Sequence, residues 1–208
     1  MEINLNDVTL YYHIEGFGDP ALVMHGGLGA DHTTFLNSGF NKLSNQLELI
    51  YYDHRCNGRS SFPEIETLTH ENLAADAENL RIALDHKNLT VIGHSYGGIT
   101  GLEYALRYPK NLRRLILITT TPSGTGLGEA RKIAETRAPH LMDAVDKMLS
   151  GNCATDDEFI ELLTILAPLY FKDFHLFEDR FSEAAKDMIP NAAAFRHSFS
   201  KLLPKYDL

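Results

Sequence analysis

"VIGHSYGGIT", Val91 to Thr100, places a serine among glycines directly after an apolar run. Leu89 to Ile92 reads as a buried strand and Tyr96 to Tyr108 as a helix stopped by Pro109, so the serine stands at a strand-to-helix junction. Gly93-His94-Ser95-Tyr96-Gly97 matches G-x-S-x-G in the context that motif needs. So tight a turn strains the serine backbone and leaves room only for neighbours without obstructing side chains. Its consequence is a hydroxyl held out at the strand end. Gly98 then lets the helix approach the sheet. The bland alternative is a helix N-cap, a position serine favours. His94 fills the variable place of the motif, with its ring expected to point away from the hydroxyl.

Working outward, strands and helices alternate. Ile3 to Leu5 and Val8 to Ile14 alternate apolar and polar residues around Asn6-Asp7, predicting an antiparallel hairpin. Ala21 to Met24 and Leu47 to Tyr52 are short apolar runs, predicting strands buried on both faces. Thr33 to Leu43 and Leu68 to Leu84 read as helices, and Leu112 to Ile118 as a further strand. The pattern calls for an α/β fold, a mostly parallel sheet with helices on both faces.

After Thr121 the pattern changes, because Pro122, Gly124, Gly126 and Gly128 interrupt it and no further buried strand follows. We divide the chain there into residues 1–121 and a helical part over 122–208. In that part, helices are expected over Glu129 to Leu149, over Thr155 to Phe171 with a capping-box spacing at Thr155 and Glu158, and over Phe181 to Leu203 interrupted at Pro190.

Two further stretches bear on chemistry. His25-Gly26-Gly27 follows an earlier strand, where a backbone N–H can face an oxygen that turns negative as a carbonyl is attacked, paired with the N–H of Tyr96 at a helix N-terminus. Asp53-His54-Arg55-Cys56-Asn57-Gly58-Arg59-Ser60 ends the next strand. Asp53 and Arg55 read as a loop brace of charge-assisted bonds rather than as catalytic groups, and His25 as a loop-stabilising hydrogen bonder.

"MHGGLG", "DHRCNGRS" and "GHSYGG", in this order, resemble the H-G-G-x-G, D-x-R-G-x-G-x-S and G-x-S-x-G-G signatures of the α/β-hydrolase family, in its proline-iminopeptidase-like and esterase-like branch. The resemblance implies an α/β-hydrolase fold with a helical cap, Ser95 as nucleophile, Gly27 and Tyr96 as oxyanion-hole amides, and an elbow of Gly93, His94, Gly97 and Gly98. It implies no metal and no organic cofactor. Cys56 stands where the family has glycine. In the family the acid follows a strand beyond the cap and the histidine follows the last strand, but the sequence reaches only Leu208. His140, His175 and His197 all lie in the cap, and Thr119-Thr120-Thr121-Pro122 holds no acid. The last strands and the catalytic C-terminal segment are expected to be absent. The chain is then a fragment, or is completed by a second polypeptide, or is not a catalyst in this form, and the sheet is left with an exposed apolar edge prone to associate.

The function expected is a serine hydrolase cleaving a small ester or amide through an acyl-enzyme, with a proline-iminopeptidase-like aminopeptidase as the sharper version. The alternative is a non-catalytic ligand-binding or interaction protein that keeps the elbow. Partners are small esters, amides or short peptides. A net charge of −9 argues against binding nucleic acid or anionic lipid. The start lacks a basic stretch leading into an apolar one and no run approaches about 18 apolar residues, so the chain reads as cytoplasmic. Cys56 and Cys153 read as reduced thiols. The cap aromatics, among them Phe159, Tyr170, Phe171, Phe174, Phe177, Phe181, Phe195 and Phe199, read mainly as core, and Asp156, Asp157, Glu158 and Glu161 as a solvated face or an amine site.

Overall fold

Asn6, at φ 53°, and Asp7 turn the chain between β1 (Glu2–Leu5) and β2 (Val8–Glu15), which pair antiparallel with Leu5 opposite Val8. The two-residue connection is the tight hairpin that this dipeptide favours. The computed structural model describes residues 1–36 and 38–208. Among these, six strands form one sheet: β3 (Asp19–Met24), β4 (Leu47–Tyr52), β5 (Leu89–His94) and β6 (Leu112–Ile118) follow the hairpin, in the order β1-β2-β4-β3-β5-β6. Every pairing from β4 to β6 is parallel.

Because strand side chains alternate, the continuous apolar runs of β3, β4 and β5 feed both faces at once. Leu22, Met24, Ile50, Tyr52 and Val91 pack on one side against Ala74, Ala77 and Leu80 of α2 (His70–Ala83) and Tyr104 of α3 (Tyr96–Arg107). Ala21, Val23, Leu49, Tyr51 and Ile92 pack on the other against Phe35 of α1 (Thr33–Leu36). The sheet carries helices on both faces, as the alternation predicts. At its edge, β6 ends in the apolar run Leu115 to Ile118, of which Ile116 and Leu117 are 43% and 41% exposed.

Two expected helices are broken. Thr33 to Leu43 is a helix only to Leu36. Position 37 lies outside the described residues, and a 3-10 turn over Phe40–Asn45 starts after Gly39, whose φ of 82° no α-helix accommodates. Glu129 to Leu149 divides into α4 (Gly126–Arg137) and α5 (Met142–Ser150), because Pro139 pushes Ala138 out of helical geometry to φ −148°, ψ 66°. The third, α6 (Asp156–Tyr170), starts where expected, with the Thr155 hydroxyl accepting from the Glu158 amide. Phe181 to Leu203 becomes α7 (Glu178–Asp187) and α8 (Ala192–His197), parted around Pro190; α8 runs on through a π-turn over Ser198–Leu202.

These helices share a core of Ala134, Val145, Met148, Phe159, Leu162, Leu166 and Phe195. They are bolted to the strand ends. Ile189 N donates to Asp31 Oδ2 at 2.9 Å and Asn191 N donates to the Gly29 carbonyl at 2.8 Å. Among the described residues no helix is long and apolar enough to cross a membrane.

Candidate active site

Ser95 joins β5 to α3 with φ 52° and ψ −119°, a conformation that a residue with a Cβ adopts only when its surroundings hold it there. Its surroundings do. The Ser95 amide donates to the Ile118 carbonyl at 2.9 Å, and its own carbonyl accepts from Gly98 N at 2.9 Å and from Thr120 Oγ1 at 2.7 Å. The hydroxyl does not cap α3, and it makes no hydrogen bond among the described residues. Ser95 is half-buried, so the side chain that the N-cap alternative would have used up is left free.

The elbow closes because its glycines lack side chains. A Cβ on Gly97 would stand 2.5 Å from the His25 carbonyl oxygen and closer still to that of Met24, and one on Gly98 would stand 2.5 Å from Thr120 Cβ. Gly93 lies against Gly98, 2.6 Å separating its Cβ position from the Gly98 Cα. Ahead of the elbow lies the loop after β3. A side chain on Gly26 would come within 3.1 Å of Ser95 Cβ, so this loop rests directly on the serine. Gly27, at φ 36°, faces open space, and neither its amide nor that of Tyr96 has an acceptor among the described residues.

His25 braces this loop. Its Nε2 accepts from the His54 amide at 3.1 Å, which leaves the proton on Nδ1 to donate to the Gly26 carbonyl at 3.0 Å. His94 sets its ring edge-on to Phe35, centroids 5.9 Å apart, and burial pushes its pKa down; it makes no hydrogen bond to Ser95 among the described residues. Tyr96 is buried, with its Oη 2.8 Å from His70 Nε2.

The third motif is a brace. Burial pushes the Asp53 pKa up, but hydrogen bonds from His32 and the Arg59 amide, with His25 nearby, more than reverse this, and the carboxyl sits below the ordinary range. Arg55 grips Asp76, and Asn57 ties the loop to the Gly29 amide at 2.5 Å. Cys56 takes the glycine conformation, φ 62°, and burial lifts its thiol to about 11. Sequence reasoning missed His32, Asn57 and Thr120, whose partners lie 21 to 28 residues away with no motif to connect them.

No histidine or carboxylate among the described residues bonds the Ser95 hydroxyl. His140 and His175 are exposed, and His197 Nε2 lies 3.1 Å from the Leu68 carbonyl. The carboxylates at the start of α6 are partly committed, with Asp156 accepting from the Ala192 amide and Glu158 paired with Lys147. Phe159 and Phe195 pack in the core with Phe199 against them, whereas Phe171, Phe174, Phe177 and Phe181 form a second cluster. An apolar groove of about 290 Å³ runs between α4, α5 and α6 without reaching Ser95.

Burial also governs how the site responds to acid. His25 and His54 lie fully buried with ring centroids 4.3 Å apart, and burial pushes both pKa values down, that of His54 strongly. Among the described residues neither ring nitrogen of His54 has a partner. Below about pH 6.5 the unfolded chain binds protons that the folded rings refuse, so stability falls as pH falls, by up to about 1.4 kcal/mol per pH unit for each ring. Urea unfolding from pH 7.5 to 5.5 should therefore give a steeper decline for the native chain than for His54→Phe. Parallel curves would show that His54 is not the group being titrated.

A family model described as alpha/beta hydrolase fold matches residues 20–147. The chain is 29% identical over 180 residues to proline iminopeptidase PfmaB of Pestalotiopsis fici, covering 83% of this chain and 63% of that one. It is 31% identical over 123 residues to a proline iminopeptidase of Chitinophaga pinensis, covering 57% and 41%. It thus spans less than two thirds of the length of these curated relatives. Among solved structures it is similar to a hydrolase from Pseudomonas aeruginosa, with a TM-score of 0.65 and 23% identity over all of this chain and 73% of the other. That likeness concerns the fold. The parallel sheet, the serine elbow at the end of β5 and a match running from β3 into α5 agree with one another, and the chain belongs to the alpha/beta hydrolase family.

Proposed function

We propose that Ser95 is the nucleophile of a serine hydrolase that cleaves small esters or amides through an acyl-enzyme. The observation that carries this reading is a serine held at positive φ with its hydroxyl free, together with amides of Gly27 and Tyr96 that have no acceptor among the described residues. In the reaction, Ser95 Oγ attacks the substrate carbonyl as its proton passes to a base. The carbonyl oxygen becomes an anion and accepts from the two amides; collapse then expels the alcohol or amine and leaves the acyl group on Ser95. Residues 122–208 form the cap over this site. A histidine from outside residues 1–208 serves as base, a reading supported by the absence of any such partner at Ser95 among the described residues and by the greater length of the relatives. The two proline iminopeptidases among those relatives favour an N-terminal prolyl amide as substrate.

A fluorophosphonate probe tests the reading. The 208-residue chain should label slowly, and added imidazole, replacing the absent base, should raise the rate at least about tenfold. All label should map to Ser95 and vanish in Ser95→Ala. A folded chain that stays unlabelled with imidazole present is the outcome of the rival, a binding protein with an idle elbow. Turnover of proline arylamide above that of simple esters would select the peptidase version.

A further inference from the structure

Three consecutive residues at the end of β6 hold the elbow, and their arrangement is strained. Ile118 accepts the Ser95 amide, Thr120 donates to the Ser95 carbonyl, and Thr119 between them has φ 45°. A β-branched residue in the left-handed region is a genuine outlier that persists only where something fixes it. On a straight strand the Ile118 carbonyl lies in the plane of the sheet and the Thr120 side chain stands normal to it. Turning the backbone at Thr119 brings both onto Ser95. Gly98 leaves the space that Thr120 fills, with Thr120 Oγ1 2.6 Å from where a Cβ of Gly98 would be.

The Ser95 carbonyl and the Tyr96 N–H belong to one planar peptide unit and point in opposite directions. Fixing the oxygen therefore aims the N–H. We infer that Thr120 is a positioning residue that orients the Tyr96 amide toward the developing oxyanion, and that the strain at Thr119 is what keeps it there. Gly27 is held by the same device, since His25 Nδ1 donates to the carbonyl of the Gly26–Gly27 peptide. Of the two donors to Ser95, Gly98 N belongs to the first turn of α3, whereas the Thr120 hydroxyl is an addition the helix does not require. The inference rests on the reading of Ser95 as nucleophile.

Thr120→Val removes the hydroxyl at nearly constant shape, and Thr120→Ser keeps it. Crystal structures of both variants, and imidazole-assisted fluorophosphonate labelling of Ser95, give two independent readouts. Thr120→Val should turn the Ser95–Tyr96 peptide away and slow labelling about tenfold, less than the full loss of an oxyanion donor. Thr120→Ser should keep the peptide orientation and label within about twofold of the native rate. Retention of either property in Thr120→Val overturns the assignment. If the native chain does not label at all, the nucleophile reading fails, and the peptide orientation in Thr120→Val alone decides the role of Thr120. Should that variant not fold, Thr120→Ala carries the same expectations.

Discussion

Replacing Gly97 by alanine is expected to destabilise the fold by about 3 kcal/mol or more, a large share of the total stability of a domain. The sign is the informative part. In an ordinary helical position the change from glycine to alanine stabilises by up to about 1 kcal/mol. Gly97 is in the first turn of α3, but the new methyl would meet two backbone oxygens, those of Met24 and His25, the latter at 2.5 Å. A side-chain tip would rotate away; the end of a central strand will not. Nor is α3 free to back off, since the Ser95 amide is tied to Ile118 and Gly93 lies against Gly98. Gly128 in α4 supplies the contrast, because nothing lies within 4 Å of its Cβ position, and Gly128→Ala should hold or raise stability by a few tenths of a kcal/mol. Urea unfolding of the two variants decides the matter. If both move in the same direction, backbone contact is not what requires glycine at 97.

Such local demands explain why the elbow was legible in the sequence while much of its support was not. Gly93, Ser95, Gly97 and Gly98 lie within six residues, so their spacing alone marks the turn, although the backbone that Gly97 must clear and the Thr120 side chain that Gly98 admits lie far away in the chain. The central strands were legible for a related reason: burial on both faces leaves runs such as Ala21 to Met24 without polar residues. Where the reading erred, a breaker was passed over. Pro139 and Gly39 each sit inside an apolar period that would otherwise continue, and backbone sterics prevailed over periodicity. Thr120 was invisible for a deeper reason. Its role exists only once β6 lies beside β5 and the chain reverses at a threonine, a residue that on its own would never predict positive φ. Asp31 is another such case, its carboxylate accepting from Ile189 N 158 residues away.

The second large effect concerns Arg55, which is only 2% exposed. Its Nε and Nη2 reach the two oxygens of Asp76 at 2.6 and 2.7 Å, a fork that binds the loop after β4 to α2. Contacts to Asp7, at 3.2 and 3.4 Å, run to a carboxylate that is 60% exposed and add little. Arg55→Met should cost about 3–5 kcal/mol, not because the pair is worth that much but because Asp76 is left as a lone charge away from water. Removing the charge as well should reverse most of the loss, so Arg55→Met with Asp76→Leu is expected to be within about 1–2 kcal/mol of the native chain. The pH dependence separates this from a simple packing defect. Burial already pushes the Asp76 carboxyl above the ordinary range with Arg55 beside it, and without the guanidinium it rises further. A raised folded-state pKa means that the folded variant holds a proton the unfolded chain has released, so its stability falls as pH rises from about 4 through that value. Urea unfolding at pH 5 and pH 8 should find the single variant closer to the native chain at pH 5 and the double variant equally close at both. A deficit that stays the same at the two pH values would mean that lost packing around the arginine stem, rather than a stranded carboxylate, is what α2 suffers.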